Sequence, residues 1–281
     1  MSLPVQYVPA VSSLSAMLIW GVSDFTGGMG ARRANAFLFT AFVHLSGIVT
    51  MYAAARLTHA PLPERASVLW ALASGCVGGV SLALFYRALA SGKMGLTAPV
   101  SAVLGAGIPT IVTAFASGFP GYTRLIGFLL AGIGVWLISR PEDSAGRPQG
   151  LGMAIVAGIG FAVFYLFVNQ AGNASPLWTS WFSRCASFTV TSMLVLATRQ
   201  LRVLPAGVLG IAAFTGVLDI TGSALFVRAA QTGRLDAAVV LSSLYPAITV
   251  LLARVFLHER FSRGKTVGML AALAAVPLVA G

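Results

Sequence analysis

Long apolar runs separated by short polar breaks dominate the chain. A helix that crosses a bilayer needs about 20 mostly apolar residues. Cutting at polar, proline and glycine punctuation predicts ten such helices, at 8–28, 35–57, 66–90, 95–117, 121–139, 149–170, 175–198, 206–231, 236–257 and 263–281. The connections are short. The longest polar one, RPEDSAGRPQG at 140–150, separates the fifth helix from the sixth. No low-complexity tract or soluble domain fits between the predicted helices.

The pattern also repeats at long range. ALFYRALASGKMG at 83–95 returns as ALFVRAAQTGRLD at 224–236. Arg87 and Arg228 lie 228 − 87 = 141 residues apart, as do Gly92 and Gly233, and the chain has 281 residues. Ser46 and Ser187, Thr50 and Thr191, Gly75 and Gly216, Ser101 and Ser242, and Gly127 and Gly268 keep the register, as do Ala16 and Val22 with Ala157 and Val163. A period this long is a duplicated half-protein, not a solenoid repeat. Five helices per half is an odd number, so the second half enters the membrane with opposite orientation, as in many secondary transporters. The expected fold is all-α and integral to the membrane: ten transmembrane helices as two inverted five-helix repeats around a central cavity. Residues 1–140 form the first repeat and 141–281 the second, in one membrane domain.

Composition restricts the partners. The chain is 57% hydrophobic and 9% charged, against roughly 25% charged in soluble domains. Its mean hydropathy is +0.88. Too few polar side chains exist to cover a surface, so the outside must face lipid. The formal net charge of +11 is therefore no nucleic-acid signature; it belongs to loops that orient helices and meet anionic headgroups. Cys76 and Cys185 lie inside apolar runs and read as small buried hydrophobes, without metal or disulfide. The segment MSLPVQYVPA lacks a basic leader, so the first helix is expected to be retained. Gly75 with Gly79, Gly127 with Ala131, and Gly268 with Ala272 have small-xxx-small spacing, which suits close helix packing.

These features together resemble the drug/metabolite transporter superfamily, specifically its EamA-type ten-helix exporters, over nearly the whole chain. The resemblance rests on the two five-helix halves, on Trp20-Gly21, and on Arg-Ala followed by glycine after helices three and eight. It rests also on Pro246, His258-Glu259-Arg260-Phe261 and Gly268, similar to a Pro … Gly-Glu-Arg-Leu … Gly signature. The first half departs from that signature. Gly118 stands where Glu259 would map, and Pro109 lies four residues past the position matching Pro246. The resemblance implies alternating access, export of small metabolites such as amino acids, an inner-membrane location and no cofactor. It also implies that Trp20, Phe25, Tyr86, Phe161, Tyr165, Trp181 and Tyr245 fall on cavity-lining helices.

Ionisable groups deep in predicted helices carry the candidate chemistry, because each is costly unless paired or facing water. His44 is mid-way along helix two, Arg184 along helix seven and Asp219 along helix eight, and Asp24 lies late in helix one. Their neighbours three and four positions away are small, hydroxylated or aromatic: Thr215, Gly216, Gly222 and Ser223 around Asp219, Ser180, Trp181 and Ser187 around Arg184. His44 reads equally as a hydrogen-bonded packing residue, and Asp24 as an interfacial cap. Arg87, Arg228 and Arg254 suit interfacial anchoring. Aromatic walls suit amphipathic solutes and ammonium groups. Pro109 and Pro246 remove mid-helix donors and are candidate gating kinks. Asp219 with Arg184 is expected to govern transport, either by exchanging partners with a zwitterionic substrate or by carrying a proton; a fixed structural ion pair is the alternative.

No hydrolase elbow, phosphate loop or metal-ligand spacing occurs, and an enzyme is not expected. Lys93 and Lys265 lie near helix ends, which argues against a retinal protein. The expected partners are a small-molecule substrate and the lipid bilayer, with proton coupling open and the protein a monomer or homodimer. Three rivals remain: an importer, an uncoupled facilitator, and a membrane-embedded enzyme or receptor acting on lipids. Charge and resemblance disagree on orientation. With cytoplasmic termini, inner loops hold Arg56, Arg65, Arg124 and Arg234, while outer loops hold Arg32, Arg33, Lys93, Arg140, Arg147, Arg199, Arg202, Arg260, Arg263 and Lys265. The positive-inside rule therefore places the termini outside.

Overall fold

The computed structural model describes residues 5–91, 94–139, 149–257 and 262–280. The motif His258–Phe261, Gly92, Lys93 and most of the 140–150 connection lie outside them. After a short 3-10 turn, Val5–Tyr7, the helices are α1 (Val8–Arg33), α2 (Ala36–Leu57), α3 (Arg65–Ser91), α4 (Met94–Ser117), α5 (Tyr122–Ser139), α6 (Leu151–Gln170), α7 (Pro176–Ala197), α8 (Ala206–Thr232), α9 (Leu235–Ser242), α10 (Tyr245–Leu257) and α11 (Arg263–Ala280). No strand occurs among the described residues. Among the described residues, seven segments are long and apolar enough to cross a membrane: Val8–Arg33, Ala36–Leu57, Arg65–Ser91, Thr97–Ser117, Leu151–Gln170, Ala206–Thr232 and Leu235–Leu257. The fold is an all-α multi-span membrane fold. Large apolar side chains such as Ile111, Phe115, Leu129 and Leu270 stand exposed on its outside, where lipid can cover them.

Local signals place the helix ends. The Asn35 side chain accepts hydrogen bonds from the amides of Phe37 and Leu38, at 3.0 and 3.1 Å, and so starts α2. Pro176 opens α7, where a missing N–H costs nothing. Gly150 precedes α6 with φ +85, and a Cβ there would also press on the Ala88 carbonyl. The ninth predicted helix differs from expectation. It is broken into α9 and α10, because Pro246 has no amide to offer the Ser242 carbonyl. Around the gap, the Leu244 and Ala247 amides reach back only three residues, to Leu241 and Leu244. The break puts Tyr245 at the start of α10, mid-way through the span. Pro109, by contrast, lies inside an uninterrupted α4.

In lipid, helices gain little from burying apolar surface against each other, so close backbone approach and hydrogen bonds must hold the bundle. Helix α3 packs on α6 and α7, α2 on α7 and α8, α1 on α8, α9 and α10, α4 on α6, and α5 on α11. Two crossings use the same device. A Cβ on Gly75 would overlap the Ser183 carbonyl, and one on Gly216 would overlap the Val43 carbonyl. Beside them, the Ser187 hydroxyl donates to the Gly75 carbonyl and the Ser46 hydroxyl to the Ala213 carbonyl, each at 2.8 Å.

The two ends of α7 locate two arginines. Arg87 shares a cleft with Arg32, Asn35, Thr198 and Gln200, beyond the C-terminal end of α7. Arg228 lies one turn before Gln231, whose amide donates to the Gly172 and Ala174 carbonyls just before the N-terminal end of α7. A 22-residue helix separates those ends by about 33 Å.

Candidate functional site

A cavity sits at mid-depth, lined by α1, α3, α6, α7, α8 and α10. Its lining residues are Trp20, Asp24, Gly78, Leu82, Phe85, Phe161, Phe164, Tyr165, Arg184, Ser187, Asp219, Ser223 and Tyr245. The volume open to the centre of a water-sized molecule is about 50 Å³, room for a few waters at roughly 10–15 Å³ each. The Arg87 cleft at one end is larger, about 520 Å³ by the same measure. The central cavity is nevertheless the better functional candidate, because it gathers buried charges on several helices.

Arg184 is the hub. Its Nη2 lies 2.8 Å from Asp219 Oδ2, across α7 and α8, with both side chains less than one-tenth exposed. The same Nη2 donates to the Ser223 hydroxyl at 3.1 Å. Ser223 in turn donates to the Asp219 carbonyl at 2.9 Å. On the other side, Arg184 Nη1 lies 2.9 Å from His44 Nδ1. A guanidinium only donates, so Nδ1 accepts and the His44 proton sits on Nε2. That Nε2 is buried without a partner. Trp20 Nε1 donates to the Asp219 carbonyl at 3.1 Å, which ties α1 to α8 at the same level.

Asp24 differs from Asp219 in environment. It is 5% exposed and lines the cavity, yet among the described residues it has no hydrogen-bond or ion-pair partner. An interfacial cap, one sequence reading of Asp24, does not describe that position. Around it stand aromatic rings: Trp20 with Tyr165 at 6.2 Å between centroids, and Phe85 with Phe161 at 5.5 Å and Tyr245 at 6.3 Å. The Tyr245 hydroxyl is buried and unpartnered.

Of the residues singled out from sequence, Trp20, Asp24, Phe161, Tyr165, Arg184, Asp219 and Tyr245 meet in this cavity. His44 touches it only through Arg184. Tyr86 is fully buried beside it, 3.4 Å from the Ser23 hydroxyl. Phe25 packs on Phe256 instead, at 5.7 Å. Trp181 belongs to a separate aromatic cluster with Tyr52, Trp178 and Phe182. Pro246 sits next to Tyr245 at the break, whereas Pro109 does not reach the lining. Sequence reasoning missed Gly78, Leu82, Phe85 and Phe164 as lining residues. The 141-residue spacing held the signal for the first two: 219 − 141 = 78 and 223 − 141 = 82. No cluster of His, Cys, Asp and Glu among the described residues could hold a metal ion.

Comparison with known proteins separates the halves. The profile of the EamA-like transporter family matches residues 148–281, close to the second half of the chain. No curated protein matches. A solved structure, described only as the crystal structure of a protein, is 18% identical and superposes with a TM-score of 0.72 over 96% of this chain and 95% of that one. That likeness shows a shared fold. Over its second half this chain is thus similar in sequence to EamA-like transporters, within an architecture shared along nearly its whole length.

Proposed function

We propose that the protein is a secondary transporter of the inner membrane, with ten spans arranged as two inverted five-helix repeats, exporting small amphipathic metabolites by alternating access. One observation carries this reading. Four pairs of cavity-lining positions are 141 residues apart: Trp20 and Phe161, Asp24 and Tyr165, Gly78 and Asp219, Leu82 and Ser223. Two related halves would place equivalent positions around one site in this way, at the midplane where transporter sites lie.

Helix packing supports the same relation. Shifting each helix to its counterpart five spans on exchanges the α1–α8 contact with α6–α3, and α2–α8 with α7–α3. The paired glycine crossings at Gly75 and Gly216 follow the exchange. Arg87 and Arg228, near opposite ends of α7, fit it as well. Asp219 and Arg184 would govern the cycle, by opening to substrate groups or by carrying a proton. A lipid-modifying enzyme would need a reactive cluster at the interface, and the buried charges here are at mid-depth instead.

The test is flux. Purified protein in liposomes should carry at least one member of a panel of amino acids, polyamines and drugs above empty liposomes. Direction and response to a pH gradient would sort exporter, importer and uncoupled facilitator. Folded protein that moves none of them, while converting a lipid, would contradict the proposal.

A further inference from the structure

We infer that the central cavity is built for an amphipathic monocationic amine, with Asp24 as its counter-charge. This rests on the transporter reading for its role, but not for its chemistry. The charges around the cavity do not balance. Arg184 and Asp219 neutralise one another, and His44 accepts from Arg184 and so is uncharged. Asp24 remains as an unpaired buried carboxylate. Such a group costs several kcal/mol unless a cation or a proton reaches it. From the elements around it, Asp219, Arg184, Tyr165, Tyr245 and Tyr86 are the titratable or charged groups, and none is a free cation.

With the Arg184–Asp219 pair closed, the same inventory disfavours other solutes. A zwitterion such as an amino acid needs a positive group for its carboxylate. Arg184 has both terminal nitrogens engaged, by His44, Asp219 and Ser223. Only its Nε is unpartnered, and its charge is already met by Asp219. An anion would meet two carboxylates. A neutral solute would leave Asp24 to be met by a proton alone. An ammonium group satisfies Asp24, the unpartnered Tyr245 hydroxyl in the same lining offers an acceptor, and the rings of Trp20, Phe85, Phe161 and Tyr165 favour a cation at their faces. The cavity as it stands has room for a few waters, so it suits a butylamine-sized amine first and a larger one requires the walls to part. The apolar part would lie against Leu82 and Phe164.

Binding to purified protein in detergent, read by calorimetry and thermal stabilisation, tests this without any flux assay. The probes are butylamine, phenethylamine, the neutral isostere 2-phenylethanol, phenylalanine and hydrocinnamate. An amine should bind the wild type at least about tenfold tighter than 2-phenylethanol, phenylalanine or hydrocinnamate. Asp24→Asn should weaken the amine roughly thirtyfold or more, as when one partner of a buried charge pair is removed. Asp24→Glu should retain most of the affinity. If Asp24→Asn does not fold, the amine-to-alcohol ratio on the wild type still decides. Phenylalanine binding as well as the amine, an amine affinity indifferent to Asp24→Asn, or no amine binding to folded wild type would each overturn the inference. Asp24-dependent amine binding without flux would leave the cation site standing and remove the transporter reading. Phenylalanine flux without such binding would do the reverse.

Discussion

Positions 141 residues apart face the cavity from both halves, but they carry different chemistry. Asp219 and Ser223 in the second half correspond to Gly78 and Leu82 in the first, and Asp24 in the first corresponds to Tyr165 in the second. The hub Arg184 maps to Val43, since 184 − 141 = 43. The packing devices, in contrast, are duplicated. Gly75 and Gly216 each admit a neighbouring backbone, and Ser187 and Ser46 each tie a crossing helix. Equivalent crossings would suit two halves that exchange shapes, as the proposed cycle requires. Unequal side chains would give the central cavity the net sign and the orientation inferred above.

Breaking the shared crossings should have the largest effect. Gly75→Leu and Gly216→Leu each drive a side chain into backbone that cannot move aside, an overlap expected to cost more than about 4 kcal/mol. Neither variant should give a monodisperse folded peak on size-exclusion chromatography. If only one fails, the crossings are not equivalent. The chemistry is the next largest. Arg184→Met leaves Asp219 buried without its partner and should lower stability by about 3–5 kcal/mol, measured by thermal unfolding in detergent. Val43→Ala, at the equivalent position, should cost about 1 kcal/mol. The double variant Arg184→Met/Asp219→Leu should recover most of the stability but none of the transport.

The helix break gives a smaller contrast. Pro246→Ala supplies the missing amide and should straighten α9 into α10, changing stability by about 1 kcal/mol or less while slowing flux. Pro109→Ala, inside continuous α4, should leave flux near the wild-type rate. Equal effects on flux would remove the break from the mechanism. For orientation, the charge pattern predicts termini outside. A C-terminal fusion should then be active as phosphatase and dark as a fluorescent protein, and bright fluorescence without phosphatase activity would reverse the assignment.

Helix positions were legible because lipid demands long apolar runs, which sequence alone displays. The deep charges stood out for the same reason: Arg184 and Asp219 interrupt apolar stretches, and the structure joins them at 2.8 Å. Less legible was which aromatic ring faces inward. Phe25 is adjacent to Asp24 in sequence, yet one position along a helix rotates it to Phe256. Trp181 lies three residues before Arg184, yet joins Trp178 and Tyr52. A helix hydrophobic on all sides gives no sequence cue to its inner face. The break at Ser243–Leu244 was equally hidden, because a proline inside a helix can bend it, as Pro109 is placed to do in α4, or end it, as Pro246 does. The family profile recognises only residues 148–281, and the first half is where Gly118 and Pro109 depart from the motif pattern.

The most direct test of the central claim compares wild type with Asp219→Asn in proteoliposomes, at matched folded amounts, across a pH series. The account predicts that the folded variant loses substrate accumulation, by loss of binding if Asp219 holds the substrate or by loss of pH-driven uptake alone if it carries the proton. Transport by Asp219→Asn at the wild-type rate with unchanged pH dependence would contradict it.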